Sequence, residues 1–391
     1  MTQKLTNTMF TGTLASSKLT GAFGSNDGSA LTGLGGSGAT ISASDPTIST
    51  NPAGGVGTLW SNSTSGDLFC CTGATSNANV WVNVGSGIGD IEPAVYYGFS
   101  SGGRSPTADI GTIQRYAFAS SSSAAGFGNL SVTRYTGESG TSSATHGYVA
   151  GGYNNTINAP DGTIDKFTFA SSSNATDVGD CVNTGNVRSG VSSTTHGYTG
   201  GGPGPTGANI EKYSFSTNGN ATVTATMSQA RSGLAGVSGP TRGYFAGGRI
   251  GSTYQNDIES ITFSSDTANG DIGSLSGTRR TASGHQTTTY GYVVGGLLSG
   301  PHAVTNIVDS FAFASTVTTT DVGDLVTARA QAAPASSTTH GYTAGGGISP
   351  EGTNVSTIER YQFASGSAIT SSSVGNLTVA CYAASGHQSS S

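Results

Sequence analysis

A motif that returns six times, at spacings of 46 to 50 residues, constrains this chain more than any other feature. It is a short aromatic and glycine segment that ends in a glycine pair. The first copy reads Tyr97-Gly98-Phe99-Ser100-Ser101-Gly102-Gly103. The next two are Gly147-Tyr148-Val149-Ala150-Gly151-Gly152 and Gly197-Tyr198-Thr199-Gly200-Gly201-Gly202, and further copies start at Gly243, Gly291 and Gly341. A unit of this length cannot bury its apolar residues alone, so neighbouring units must cover one another.

Two other elements keep the same period. After each glycine pair comes a short run with a β-branched start and aromatic positions, as in Ile113-Gln114-Arg115-Tyr116-Ala117-Phe118 and Ile164-Asp165-Lys166-Phe167-Thr168-Phe169. Alternation puts Tyr116 and Phe118 on one face of a strand and Ile113 on the other, so both faces are partly apolar. Before the Gly-Tyr segment, an apolar residue is followed four places later by arginine: Leu130/Arg134, Met227/Arg231, Leu275/Arg279 and Leu325/Arg329. Arg188 takes this place in the copy with Cys181, and the last copy has Cys381 instead. A weak polar segment such as Asp177-Val178-Gly179-Asp180 completes the unit.

Four short strands per unit, repeated around a ring, make a β-propeller blade. The expected fold class is all-β: a six-bladed propeller over residues 91–391, preceded by an extended segment (1–55) and a small β module (56–90). Gly, Ser and Thr are abundant and Gly alone numbers 62, which disfavours long helices. The first Gly-Tyr-type strand has no arginine strand before it, and the last unit ends in one with nothing after it. Ser385-Gly386-His387-Gln388 echoes Ser283-Gly284-His285-Gln286. The two incomplete pieces add up to one blade, so the C-terminal strand is expected to close the ring and remove an open edge.

The order of arginine, Gly-Tyr-x-x-Gly-Gly and aromatic strands, with its glycine pairs near a 50-residue period, resembles the kelch-repeat family over roughly residues 91 to 391. The chain departs from that pattern at the late Trp that many kelch units carry. The first ninety residues carry a second resemblance. Gly28-Ser29-Ala30-Leu31-Thr32-Gly33-Leu34, then Gly57-Thr58-Leu59-Trp60 through Ala78-Asn79-Val80-Trp81, resemble the N-terminal parts of tailed-phage fibre and appendage proteins, especially of marine phages. That resemblance implies a virion protein, attached to other virion proteins or to copies of itself through residues 1–55. A Ser/Thr/Gly segment without a core of its own gains stability from such sharing.

Net charge is −6 with scattered Lys and Arg, which speaks against a nucleic-acid surface. No apolar run reaches membrane-span length, and Met1 to Phe10 lacks a signal-peptide core. The four cysteines, Cys70, Cys71, Cys181 and Cys381, form no disulfide framework or zinc spacing and read as small buried groups. His146, His196 and His340 share one repeat position, far apart on a ring, and read as turn residues. The arginines repeat in nearly every unit and read as architecture that satisfies backbone carbonyls. The kelch resemblance admits copper oxidases, but Cys181 and Cys381 lie away from loops with Tyr and His. No catalytic arrangement or cofactor is expected.

Function is expected on the connections between the glycine pairs and the aromatic strands, which vary in length and sequence. They hold Tyr153, Asn154, Asn155, Asp161, Arg249, Tyr254, Gln255, His302 and Glu351. Aromatics with amides and few charges suit stacking and hydrogen bonding to sugars. The expected function is therefore a virion appendage that binds a host surface glycan; the alternative is a decoration protein without receptor binding.

Overall fold

The computed structural model describes residues 39–84, 96–135, 139–185, 187–299, 303–349, 353–363 and 369–389. The chain divides into two compact units, Met1–Ala94 and Val95–Ser391. Both are built from β-strands. One short 3₁₀ turn, Pro205–Ala208, interrupts them, and no α-helix occurs among the described residues.

The first unit is a four-stranded sheet in chain order: Thr40–Ser42, Leu59–Asn62, Leu68–Gly73 and Val80–Asn83. Its core is Phe69, Cys71 and Trp81, with Trp60 packed edge-on against Trp81 at 6.0 Å. Cys70 and Cys71 point to opposite faces, as neighbours in a strand must, so only Cys71 is buried. The sheet begins earlier than composition suggests, because Thr40–Ser42 pairs parallel with Trp60–Asn62. Trp60 Nε1 donates to the Ser44 carbonyl at 2.9 Å, and Asn79 Nδ2 donates to the carbonyl of Ile48 at 2.9 Å. Residues 40–51 thus pair and hydrogen-bond with the strands of residues 59–83. The remainder of the proposed attachment segment, residues 1–38, lies outside the described residues.

Among the described residues, the second unit contains four four-stranded antiparallel sheets, two two-stranded ladders, and one eight-stranded sheet that is two four-stranded antiparallel halves joined at one edge; counting the halves separately gives six groups of four strands. We number them by the glycine pair they carry and count their strands in the order in which they pair. The second sheet is Gly140–Ser142, His146–Asn154, Ala159–Thr168 and Thr176–Asp180; the third is Arg188–Ser192, His196–Gly201, Asn209–Ser214 and Thr222–Thr226. The fourth is Ala235–Ser238, Arg242–Ala246, Asp257–Thr262 and Thr267–Ser274. The fifth is Ser283–Gln286, Tyr290–Val294, Ile307–Ala312 and Thr320–Asp324; the sixth is Ala333–Ser336, His340–Ala344, Thr357–Gln362 and Ile369–Asn376. A two-residue parallel pairing of Gly323–Asp324 with Ile369–Thr370 joins the outer edges of the fifth and sixth. The first sheet takes three strands from one end of the unit (Tyr97–Ser101, Thr112–Ala117, Ala125–Asn129) and its first strand, Ser385–Gln388, from the other.

The six first strands touch in cyclic order, from the second sheet through the sixth to Ser385–Gln388 and back to Gly140–Ser142. They approach so closely that small residues are required. A Cβ added to Gly190 would collide with the Gly140 carbonyl, one on Gly236 with Gly190, one on Gly284 with Gly236, one on Gly386 with Pro334, and one on Gly140 with Gly386. Pro334 holds the remaining position; a first strand is an edge strand, where a missing N–H is tolerated.

Between sheets, apolar packing repeats. The second-strand aromatic of each sheet stacks on the phenylalanine that directly follows the next sheet's third strand. The pairs are Phe99–Phe169 at 4.8 Å, Tyr148–Phe215 at 4.7 Å, Tyr198–Phe263 at 5.1 Å, Tyr244–Phe313 at 5.3 Å and Tyr292–Phe363 at 4.7 Å. The sixth, Tyr342–Phe118 at 4.5 Å, joins the last sheet to the first. The two-sided apolar character of the third strand is the reason: each sheet is covered on both faces by its neighbours.

Candidate binding face

The segment that crosses from one sheet to the next carries the repeated arginine, which is held by an ion pair and by backbone carbonyls. Arg134, Arg188, Arg231, Arg279 and Arg329 are buried. Each ion-pairs with a carboxylate on the third strand of the sheet it enters: Asp165 at 2.9 Å, Glu211 at 2.7 Å, Glu259 at 2.8 Å, Asp309 at 3.0 Å, and Glu359. Guanidinium donors also reach carbonyls, such as Arg231 Nη1 to Gly247 and Asp257 and Arg329 Nη1 to Gly345 and Thr357. The same carboxylates accept the backbone N–H of the residue after the apolar position: Ser131, Val182, Ser228, Ser276 and Val326. Where arginine gives way to Cys381, the carboxylate gives way to Gln114, whose Oε1 accepts the Thr378 N–H at 2.6 Å. A buried charge without a partner would be costly, so the two positions change together. The carboxylates are missed when the third strand is read for its aromatics, although they stand one place after each β-branched start.

The glycine pair sits at the same end of each sheet. Its second glycine has φ between +95° and +145° in all six sheets, from Gly248 to Gly152, which disfavours any side chain. In five sheets its N–H donates to the carbonyl of the arginine or Cys381 of the following crossover, as in Gly103 to Arg134 (3.1 Å) and Gly346 to Cys381 (2.8 Å). The variable connections therefore emerge beside the crossovers.

Within these connections the expected binding residues separate into groups. Asn155 donates from its backbone and its side chain to Asp109, both at 2.7 Å, and Arg104 pairs with the same carboxylate at 2.9 Å. Asn354 of the sixth sheet donates to the Arg104 carbonyl at 3.2 Å. Tyr153 lies 5.6 Å from Tyr135 in a tilted pair, and its hydroxyl bonds Asn158 at 2.8 Å. Asn154 and Asp161 accept local backbone N–H groups and shape their own turns. Tyr254 is buried, with Arg280 above its ring and bonded to its hydroxyl at 2.9 Å. Arg249 pairs with Tyr254 across a two-residue ladder, and Gln255 bonds the Thr253 carbonyl. The structure thus brings Tyr153 and Asn155 together with Arg104, Asp109 and Tyr135, and leaves Arg249, Tyr254 and Gln255 as a separate group. His302 and Glu351 lie outside the described residues.

Other titratable groups serve structure. His146, His196 and His340 each hydrogen-bond the preceding threonine through Nδ1 at 2.8 Å, within a turn. Burial pushes the Cys181 thiol up to about 11 and that of Cys381 up to about 12, which keeps both protonated at neutral pH. Among the described residues no three His, Cys, Asp or Glu side chains are grouped to hold a metal ion. A pocket of about 70 Å³ lies among the first strands, lined by Ser142, Ser192, Ser238, Gln286 and Gln388. Small-molecule sites span roughly 300–1,000 Å³, so it is too small for a drug-sized ligand. No protein-family model matches the chain, and no curated protein matches it.

Proposed function

We propose that residues 95–391 form a six-bladed, kelch-like β-propeller, and that the chain is a virion appendage protein of tailed-phage type that presents this propeller to a host surface glycan. The propeller reading is supported by the cyclic order of the first strands and by the six aromatic stacks, the last of which joins Tyr342 to Phe118. Binding rather than catalysis is favoured by one observation above the others. The groups that repeat around the ring are consumed by architecture, each arginine by a carboxylate and carbonyls, which leaves the uneven connections as the surface free to recognise something. There, Tyr135 and Tyr153 offer rings for stacking on a sugar beside the amide of Asn155. The N-terminal segment joins the chain to other virion proteins or to its own copies.

Labelled antibody against the full chain, imaged on particles, tests the virion placement; a chain absent from particles overturns it. Glycan-array binding by the full chain tests recognition. Tyr153→Ala is expected to lower binding about tenfold by removing a stacking ring, without changing the melting temperature. A second reading, decoration without receptor binding, is favoured by the ties among the connections themselves, since Asp109 is occupied by Arg104 and Asn155. Absence of binding to any glycan or host cell would select it.

A further inference from the structure

The five buried ion pairs of the second unit cancel one another, and the remaining charges are distributed unevenly. Eight cations of the described residues stand outside those pairs. Five of them, Arg115, Lys166, Lys212, Arg242 and Arg360, lie toward the end of the sheets opposite the glycine pairs. The strand register fixes this. Lys166 faces Tyr148, Lys212 faces Tyr198, Arg360 faces Tyr342 and Arg242 faces Thr262, all within the first residues of the second strand. Arg115 lies 4.2 Å above the Tyr97 ring, and Lys166 and Lys212 lie 5.6 Å above Tyr148 and Tyr198. Burial lowers the pKa of His146, His196 and His340, which start the second strands, and the nearby charges of Lys166, Lys212 and Arg360 lower it further.

Carboxylates are fewer at the same end. Of the nine outside the buried pairs among the described residues of the second unit, Asp109, Asp161 and Asp257 lie in or beside the glycine-pair connections, Asp180 and Asp324 end fourth strands on that side, and Asp177, Asp271 and Asp321 lie on fourth strands beside the buried carboxylates, level with the middle of the sheet. Asp266 alone sits in a turn at the cationic end, 2.8 Å from Lys212. The described turns there, 118–124, 143–145, 169–175, 193–195, 215–221, 239–241, 263–266, 287–289, 313–319 and 337–339, consist of Ser, Thr, Ala, Gly, Asn and the stacked Phe, with Pro240, Val317 and Asp266 as the exceptions. A chain of net charge −6 thus presents one positive end, rimmed with hydroxyls and amides.

We infer that this end, opposite the glycine-pair connections, is a docking surface for an anionic polysaccharide, with one cation contributed by each of five sheets and neutral hydroxyl-rich turns between them. A carboxylate-bearing sugar polymer fits the arrangement. Its charges are spaced along the chain, and its hydroxyls match the Ser and Thr turns. A nucleic-acid duplex fits less well, because it needs a dense contiguous stripe of cations, and the fifth sheet has Tyr290 and Ser310 at the corresponding positions. The surface stands apart from the connections at the other end, so binding here is independent of what those connections bind.

Alginate, a polyuronate, serves as the probe for the full chain, with dextran as the neutral control and a short DNA duplex as the competitor. The full chain is expected to bind alginate at low salt, to lose it as salt rises, and to ignore dextran. The combined Lys166→Gln, Arg242→Gln and Arg360→Gln variant, with its melting temperature checked, is expected to weaken alginate binding about tenfold, or roughly 1.4 kcal/mol over three half-buried cations. Arg104→Gln with Arg249→Gln, at the other end, is expected to change it less than about twofold. Absence of alginate binding at low salt, insensitivity to the first variant, an equal loss in the second, or tighter binding to DNA would each overturn the inference. Should the triple variant fail to fold, the salt dependence of the native chain decides: salt-independent binding overturns it.

Discussion

The first sheet differs from the other five in the wall it turns to its neighbour. Sheets two to six each bury an arginine against a carboxylate; the first has Cys381 and Gln114 at those two places. Yet the backbone job is the same, since Gln114 still accepts the N–H of Thr378 as Glu259 accepts that of Ser228. What the sheets share is therefore an acceptor that fixes the crossover, and charge is one of two ways to supply it. The first sheet is also the one assembled from both ends of the unit, where a neutral pair avoids desolvating two charges during closure.

The largest expected effect breaks one pair and leaves its partner. Glu259→Leu should destabilise the protein by about 3–5 kcal/mol in urea unfolding, because Arg231 is left buried and unpaired. Combining it with Arg231→Met should recover most of that loss. Gln114→Leu removes two hydrogen bonds but strands no charge, so a smaller cost of about 1–3 kcal/mol is expected. Equal costs for Glu259→Leu and Gln114→Leu would erase the distinction between the two kinds of sheet.

Acid should act on both kinds alike. His285 of the fifth sheet and His387 of the first are fully buried, and burial lowers them from 6.5 to about 3 and about 4. Each stays neutral in the folded chain while the unfolded chain takes up protons below about 6.5. Their contribution is complete above that pH and is lost as pH falls toward 3–4, on the order of a few kcal/mol each. His387→Phe should flatten the decline seen in unfolding measurements between those limits; an unchanged profile would place the acid sensitivity elsewhere.

The inner glycines sharpen the comparison from the other side. Gly284→Ala and Gly386→Ala should cost alike, about 1–3 kcal/mol or more, since each new methyl meets a neighbouring carbonyl. Gly126→Ala on a fourth strand, with nothing within 4 Å of the new methyl, should change stability by less than about 0.5 kcal/mol. A cheap Gly386→Ala would mean that the first strand of the closing sheet is packed more loosely than the rest.

Much of this was legible in the chain itself, because the repeat exposes it. The echo between Ser385–Gln388 and Ser283–Gln286 marks two strands with one role, and both are first strands of their sheets. The aromatic stacks follow from third strands that are apolar on two faces. The carboxylates were equally periodic, but Asp and Glu interchange there and Gln114 replaces them once, so identity conceals a constant acceptor role. The candidate site was less legible. Tyr254 has the appearance of an exposed loop tyrosine, yet a two-residue ladder turns it inward beneath Arg280, a residue of the next crossover. Thr40–Ser42 has one apolar residue and pairs parallel with a strand well downstream, which no local pattern announces. Both misses are non-local contacts made by short segments.

The account turns on Ser385–Gln388 completing the sheet begun at Tyr97. Unfolding of the chain lacking Leu377–Ser391, followed by fluorescence and by far-ultraviolet circular dichroism, tests it most directly. Loss of a single cooperative transition is predicted, because the first sheet would lose its first strand, and Tyr97–Ser101 and Pro334 their partners. A truncated chain that melts as one transition at the temperature of the full chain would contradict it.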